Sequence, residues 1–442
     1  MSLPRYPEYK DSGVAWLGEV PQHWDIAKFR HCFHESTEKI ENDVIGEMLS
    51  VSGYRGIEIK EYDDENRRRT DDDLVGYRIV RPGQLVVNTM WLNYAGLGVS
   101  AYEGHVSPAY RGYWIGERLN KRFVHHLMRS SLYVKGYTKF LTGIRPNSLQ
   151  MSRDDLMVFP VLIPSQQEQA AVAAFLDRET EKIDALVAEQ EKLIALLKEK
   201  RQAVISHAVT KGLNPAAPMK DSGIEWLGEV PVHWDVRRVK SVTTFTTSGP
   251  RGWSENVGEE GHLFVQSGDL NDSLQVEFGA AKRVMVEDAA EASRTRLFDG
   301  DVVVCITGAK TGNVAVCASI PEPAYVNQHL CLIRPNQVVL PIFLGVSLKS
   351  RVGQTHFELS QYGLKQGLSL ENVREAPVPL PPLAEQSAIA AFLDTETTKL
   401  DILTAEAQRG IELLKERRSA LISAAVTGKI DVRGLNALKE VA

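Results

Sequence analysis

The chain has 442 residues, 43% of them hydrophobic and 24% charged, with a formal net charge of −6. That length exceeds one ordinary core, so two or more domains are expected, and the composition excludes a disordered or fibrous protein. An acidic chain has no uniformly basic coat for nucleic acid, although a local basic surface stays open to it.

The first stretch, "MSLPRYPEYKDSG", lacks the apolar core of a secretory leader, and no run approaches the ~20 apolar residues of a membrane span, so a cytoplasmic place is expected. Residues 1–25 form a first docking segment that contains "KDSGVAWLGEVPQHWD" (Lys10–Asp25). The phrase returns as "KDSGIEWLGEVPVHWD" (Lys220–Asp235), with three of sixteen positions changed. Trp16, Leu17, Val20, Pro21 and Trp24, like Trp226, Leu227, Val230, Pro231 and Trp234, give each copy enough apolar surface to dock firmly. Gly13 and Gly18 supply tight turns. Trp16, Trp24, Trp226 and Trp234 are therefore the candidate partner-binding residues. The repeated His23/His233 and Asp25/Asp235 could be read as acid–base pairs, but a Trp-flanked phrase written twice suits a structural clamp better.

A first head is expected over 26–160, and a central long helix over 161–211. Residues 212–235 hold a linker and the second docking segment, 236–378 a second head, and 379–442 a second long helix with a tail. The helices announce themselves by a second repeat. Pro164–Thr210 aligns without a gap on Pro381–Thr427, and more than half the positions are identical. Both lack internal proline and are rich in Ala, Leu, Glu, Lys and Gln. Ile183, Leu186, Leu193, Leu197 and Val204 fall on a heptad stripe in the first, and Leu400, Leu403, Leu414 and Leu421 in the second. Neither stripe can be buried alone, so the two helices are expected to pack as an antiparallel coiled coil, each ~65–70 Å long. The linker "KGLNPAAPM" (Lys211–Met219) cannot continue a helix.

The heads barely resemble each other in sequence. Short β-branched runs such as "GQLVVNTM" and "GDVVVCITGAKTGNVAVCAS", punctuated by Gly, Pro and Asn, predict compact sheets. Helices are expected near Lys121–Ser131 and Ile342–Arg351. The fold class is thus mixed α/β (α+β): two globular domains, two long helices and an internal pseudo-two-fold repeat.

Enzymatic motifs are missing. "TGAKTG" (Thr307–Gly312) has its Gly and Lys in the wrong order for a phosphate loop, and neither G-x-S-x-G nor H-E-x-x-H occurs. An N-P-P-Y-like methyltransferase loop is also lacking. Cys32, Cys305, Cys317 and Cys331 never form a C-x-x-C pair, so buried, reduced thiols are expected, with no metal site. No catalytic residue is assigned.

What the sequence does offer is basic residues among aromatics. From Arg118 to Arg145 the first head carries Arg118, Lys121, Arg122, Arg129, Lys135, Lys139 and Arg145 with no acid between them. His125 and His126 could add charge. Such a run suits phosphate and base-edge contacts, or equally a solvated basic helix face. The candidate DNA-binding residues here are Arg118, Lys121, Arg122, Tyr137, Thr138, Lys139, Arg145 and Asn147. In the second head they are Lys310, Lys349, Arg351, Tyr362, Lys365 and Gln366. The loops "YTKFLTGIRPNSLQ" and "QYGLKQGLSL" stand before matching Leu-x-Pro boundaries.

The layout resembles the specificity (S) subunit of type I restriction–modification systems. The resemblance is carried by the paired "SGxxWLGEVPxHWD" phrases, by "FPVLIPSQQEQAAVAAFLD" and "VPLPPLAEQSAIAAFLD", and by the helix ends "KEKRQAVISHAVTKG" and "KERRSALISAAVTGK". It implies that the heads are target recognition domains, each reading half of a split, asymmetric DNA sequence. It also implies that the helices serve as a ruler and as the docking site for two modification (adenine methyltransferase) subunits, with restriction/translocase subunits added. The subunit itself would be non-catalytic, with S-adenosylmethionine, ATP and Mg2+ acting on the partners. Recognition domains vary freely, so no base contact transfers by motif. The rival reading is a coiled-coil assembly scaffold whose heads bind proteins; a second is a DNA-acting enzyme with an unfamiliar site.

Overall fold

The computed structural model describes residues 3–62, 70–142, 149–286, 289–361 and 367–434. The chain forms two compact units: one holds residues 1–191 and 409–442, the other 192–408. No described helix is long and apolar enough to cross a membrane.

In the first unit the docking segment opens as a hairpin, Tyr9–Asp11 against Glu19–Pro21. Gly13 (φ 68°) and Gly18 (φ 69°) make its turns in the left-handed region where a side chain would be strained. The strand Asp25–Lys28 then pairs antiparallel with Pro160–Ile163, so the two ends of the head are laced together. Between them one antiparallel sheet runs in the order Phe33–Glu35, Tyr110–Ile115, Leu85–Asn88, Leu97–Val99. A second sheet contains Glu47–Ser52 parallel to Gly104–Val106, with Gly56–Ile59 and Arg78–Val80 outside them. Two short helices, Lys121–Arg129 and Ser131–Thr138, cover the first sheet. Phe29, Tyr113, Phe123, Tyr133, Tyr137 and Phe159 fill this core and are fully buried.

The second unit repeats the plan. The hairpin is Met219–Asp221 with Glu229–Pro231, and the lacing strands are Asp235–Arg238 and Pro377–Leu380. The main sheet runs Thr243–Ser248, Leu330–Pro335, Val302–Cys305, Val314–Val316. In the other sheet His262–Val265 lies parallel to Ala324–Val326. The helix pair is Pro341–Lys349 and Arg351–Ser360. Two sequences with little in common thus build the same main sheet, while the second sheets differ: Gly104–Val106 is an inner strand in the first head and Ala324–Val326 an edge strand in the second.

The long helices are Gln166–Lys211 and Leu383–Val426. In the first unit Asp184 meets Arg418 (3.0 Å), while Val172, Phe175 and Leu176 share an apolar cluster with Ile422, Ala425 and Val426. In the second Arg201 meets Asp401 (3.1 Å), and Ile205, Ala208 and Val209 share a cluster with Ile389 and Leu393. In both units one helix ascends as the other descends, as an antiparallel coiled coil requires. The seam differs in detail from the sequence stripe. Ile183, Val187, Leu197, Leu400, Ala407 and Ile411 are buried, whereas Leu186, Leu193 and Leu403 are exposed. Leucines lie on neighbouring faces of the same helix, and only the partner's position decides which face is covered.

Candidate nucleic-acid interface

The repeated phrase works as a latch on the start of each long helix. Glu168, in the first turn, accepts hydrogen bonds from Trp24 Nε1 (3.1 Å) and pairs with His23 Nε2 (3.0 Å). Glu385 does the same for Trp234 Nε1 (2.9 Å) and His233 Nε2 (2.6 Å). The next residue holds the head. Buried Gln169 donates from Nε2 to the carbonyls of Arg118 and Pro164, and its Oε1 accepts from the Asn120 N–H. Gln386 donates to Val338 and Pro381 and accepts from Leu340. One Glu-Gln dipeptide thereby ties phrase, helix and head together. Its sequence signal was present, an "EQ" retained in both helix starts, but it carries no meaning until the helix N-terminus faces the tryptophans.

This corrects the partner-binding assignment of Trp24 and Trp234, which are wholly buried with their indole N–H groups already engaged inside the chain. Trp16 stacks on Phe159 (5.2 Å) and meets Tyr133 edge-on, so it fastens the phrase to its own head. Trp226 keeps 42% of its surface exposed.

The basic run of the first head divides in two. Its first half turns toward the scaffold. Arg118 pairs with Asp25 (2.8 Å), and Arg122 and His126 both pair with Asp177 of the long helix. Arg129 donates to the carbonyls of Leu97 (2.7 Å), Gly53 (3.0 Å) and Ser52 (3.2 Å). Burial, with Arg418 nearby, pushes Arg129 down to about 10. His125 is held at about 3, chiefly by burial and then by Arg129. His126 is held at about 4 by burial and by Arg418, Arg129 and Arg122, despite its carboxylate partner. Neither histidine adds positive charge near neutral pH. Lys121, at the start of its helix, is exposed and lies over Gly83.

The second half of the run faces outward. Thr138 and Lys139 are exposed at the end of the helix Ser131–Thr138. Tyr137 is not: it is fully buried and its hydroxyl donates to the Met128 carbonyl (2.8 Å), which makes it a core residue and corrects its assignment to DNA contact. Its place in a polar, basic stretch hid a helix whose apolar side faces the sheet. Arg145 and Asn147 lie outside the described residues, as do Tyr362, Lys365 and Gln366.

In the second head Lys349 occupies the helix position of Arg129 and also turns inward. It donates to Asn313 Oδ1, lies 3.8 Å from Asp272, and is shifted below the ordinary lysine value, first by burial. Arg351 is exposed, with its backbone N–H on Ser206 Oγ. Lys310 is exposed on the loop after Val302–Cys305, its Nζ 3.2 Å from the Gly268 carbonyl. Among the described residues no cluster of His, Cys, Asp or Glu could hold a metal.

Sequence reasoning passed over the matching loop of the first head. After Leu85–Asn88 it exposes Met90, Trp91 and Tyr94, with the two rings 5.9 Å apart. Each of these loops is bonded to the end of one of the polar loops singled out above or to the residue just after it. Met151 N–H donates to the Thr89 carbonyl (3.1 Å), and Leu368 N–H donates to the Ile306 carbonyl (2.7 Å).

Residues 231–413 match the model of the type I restriction modification DNA specificity domain. Over that stretch, which is less than half of its length, the chain is similar to type I specificity subunits. It is 23% identical over 327 residues to the EcoBI specificity subunit of Escherichia coli, across 71% of this chain and 66% of that protein. Against the EcoKI specificity subunit of E. coli strain K12 it is 22% identical, across 70% of this chain and 65% of that one. The match thus spans just under two thirds of these relatives. A solved chain from work on complex assembly and conformational transition of the type I R-M system superposes with TM-score 0.69 at 17% identity, covering 92% of this chain and 98% of that one. The HsdS subunit of Thermoanaerobacter tengcongensis gives 0.50 at 16%, covering 93% and 98%. At such identities the solved structures speak for the fold.

Proposed function

We propose that this chain is a specificity subunit that reads a split, asymmetric DNA target, one half-site per head, and positions two adenine-methylating modification subunits on it. Restriction/translocase subunits would join the same complex. The chain contributes no chemistry of its own; S-adenosylmethionine, ATP and Mg2+ act on the partners. The observation that carries the reading is one latch and one main-sheet order shared by two heads of dissimilar sequence. A shared scaffold with divergent exposed loops is what two different half-sites of one polymer call for. The exposed leucines of the long helices, Leu186, Leu193, Leu196, Leu403 and Leu413, supply apolar surface for modification subunits.

Methylome sequencing of cells carrying this chain with its modification subunit tests the reading. One interrupted adenine-methylated motif is expected, and its absence from an assembled complex would refute the proposal. In vitro, the isolated chain should bind DNA weakly and the complex with two modification subunits far more tightly, with affinity falling steeply against log salt. Equal specific affinity with and without the modification subunit at one salt would count against the division of labour. Heads that hold proteins and ignore DNA would instead support the scaffold reading.

A further inference from the structure

The hairpin loops at residues 89–96 and 306–313 occupy the same place in the two heads. Each joins the third and fourth strands of the main sheet. Each is closed by the same bond, Asn88 N–H to the Gly96 carbonyl in one and Cys305 N–H to the Asn313 carbonyl in the other, both 2.8 Å. Each is tied, through Thr89 or Ile306, to the flank of the neighbouring polar loop. What differs is the cargo. The first loop exposes 54% of Trp91 and 61% of Tyr94, while the second carries Thr307, Gly308, Lys310 and Thr311.

The first loop is also rigid. Leu92 is fully buried and anchors it, Met90 N–H donates to Asn88 Oδ1 (3.1 Å), and Gly96 N–H donates to the Trp91 carbonyl (2.8 Å). A Cβ at Gly96 would lie 2.5 Å from that carbonyl, so the turn needs glycine. Two large rings held outward by a fixed backbone lose little entropy on contact and bring much apolar area. The helix Ser131–Thr138 packs on this loop and presents Lys135 and Lys139 beside it. Apolar ring faces bordered by ammonium groups match a DNA duplex, with phosphates at the border and thymine methyls or base faces at the centre.

Building on the proposed function, we infer that these two loops are the base-contacting elements of the heads: Trp91 and Tyr94 read the first half-site by apolar contact, and Lys310 and Thr311 read the second by polar contact.

The test uses the full chain assembled with its modification subunit. The double variants Trp91→Ala/Tyr94→Ala and Lys310→Ala/Thr311→Ala are compared with wild type in competition binding against duplexes altered in one half-site, and by methylome sequencing. The aromatic variant should lose discrimination in the first half-site by about tenfold or more and keep it in the second. The polar variant should do the reverse. Thermal unfolding of the aromatic variant should be unchanged, since both rings are exposed; the polar variant gives up the bonds of Lys310 to the Gly268 carbonyl and of Thr311 to the Gly308 carbonyl and should unfold only slightly earlier. Wild-type discrimination in both halves for both variants would overturn the inference and leave the function reading standing. So would loss of the modification subunit with discrimination intact, which would mark the rings as a protein contact. Failure of the wild-type complex to methylate any split motif would remove the function reading and this inference together.

Discussion

The two heads are the instructive comparison. They share the strand order of the main sheet, a helix pair and a cation at the end of the first helix, Arg129 in one and Lys349 in the other. Both cations point inward, but Arg129 satisfies three backbone carbonyls whereas Lys349 uses Asn313 and Asp272. The same helix carries His125 and His126 in the first head and Gly345 and Val346 in the second. A fold of this kind requires apolar residues at inward positions and partners for buried polar groups. It leaves the identity of those partners free, and that freedom is what allows the exposed loops to diverge.

The latches differ too, in exposure. The Glu168 carboxylate is 2% exposed and that of Glu385 is 41% exposed. The identical chemistry is therefore far more enclosed in the first unit.

The comparison breaks most severely if the helices lose register. A two-residue insertion after Glu189 rotates everything beyond it by about 200° and should abolish assembly with modification subunits in a pull-down. A four-residue insertion, "LVAE" repeated, exceeds one turn by only about 40° and adds about 6 Å. If the helices set the spacer, that variant should methylate the same half-sites with about two more base pairs between them, at ~3.4 Å per pair. Unchanged spacing in an active variant would reduce the helices to a partner handle.

Next come the latches. Glu168→Ala leaves the Trp24 indole N–H buried without an acceptor and should destabilise the first unit by about 3 kcal/mol. Glu385→Ala should cost about 1 kcal/mol in the second, where water reaches the site. Hydrogen exchange resolved by unit checks the ranking; equal losses would deny the difference in enclosure.

Acid separates the units as well. His125 is depressed from the ordinary 6.5 to about 3 in the folded chain, so the unfolded chain takes up its proton first as pH falls. The stability held by the neutral ring is complete above pH ~6.5 and is lost progressively from there toward pH 3, by about 2–3 kcal/mol at pH 4. The second head has glycine at that position and lacks this loss. Urea midpoints of the two units at pH 7 and pH 4 should diverge, and His125→Gln should reduce the response of the first unit, the remainder coming from His126, which is also depressed, to about 4.

The smallest effects distinguish surface from core within one helix. Lys139→Ala should weaken DNA binding by about 1 kcal/mol, confined to the first half-site, with stability unchanged. Tyr137→Phe should lower stability by about 1 kcal/mol, through the lost bond to Met128, and leave DNA preference intact. The opposite pattern would return Tyr137 to the interface.

Much of this was legible in the residues. The doubled phrase, the doubled helices and the β-branched runs between them announce two mixed α/β heads on a helical pair, because repeats and hydrophobic periodicity are local properties of a chain. The absence of phosphate-loop, elbow and zinc-protease patterns likewise directed attention to binding. Within the basic run, however, Lys139 and Tyr137 are two positions apart and lie on opposite sides of one helix.

The tertiary structure decided the rest, since it depends on which groups meet across large sequence separations. It placed Glu168 against Trp24 and Glu385 against Trp234, turning apparent partner anchors into internal bonds. It chose Val187 over Leu186 for the seam, because burial of a helix face is set by the neighbour and not by the leucine. It gave two unlike sequences one strand order in the main sheet, since backbone pairing and inward apolar packing are indifferent to the side chains that point outward. And it set Trp91 and Tyr94 on the loop that matches that of Lys310, a correspondence invisible to alignment because the shared element is a hydrogen-bonded turn and not a residue pattern.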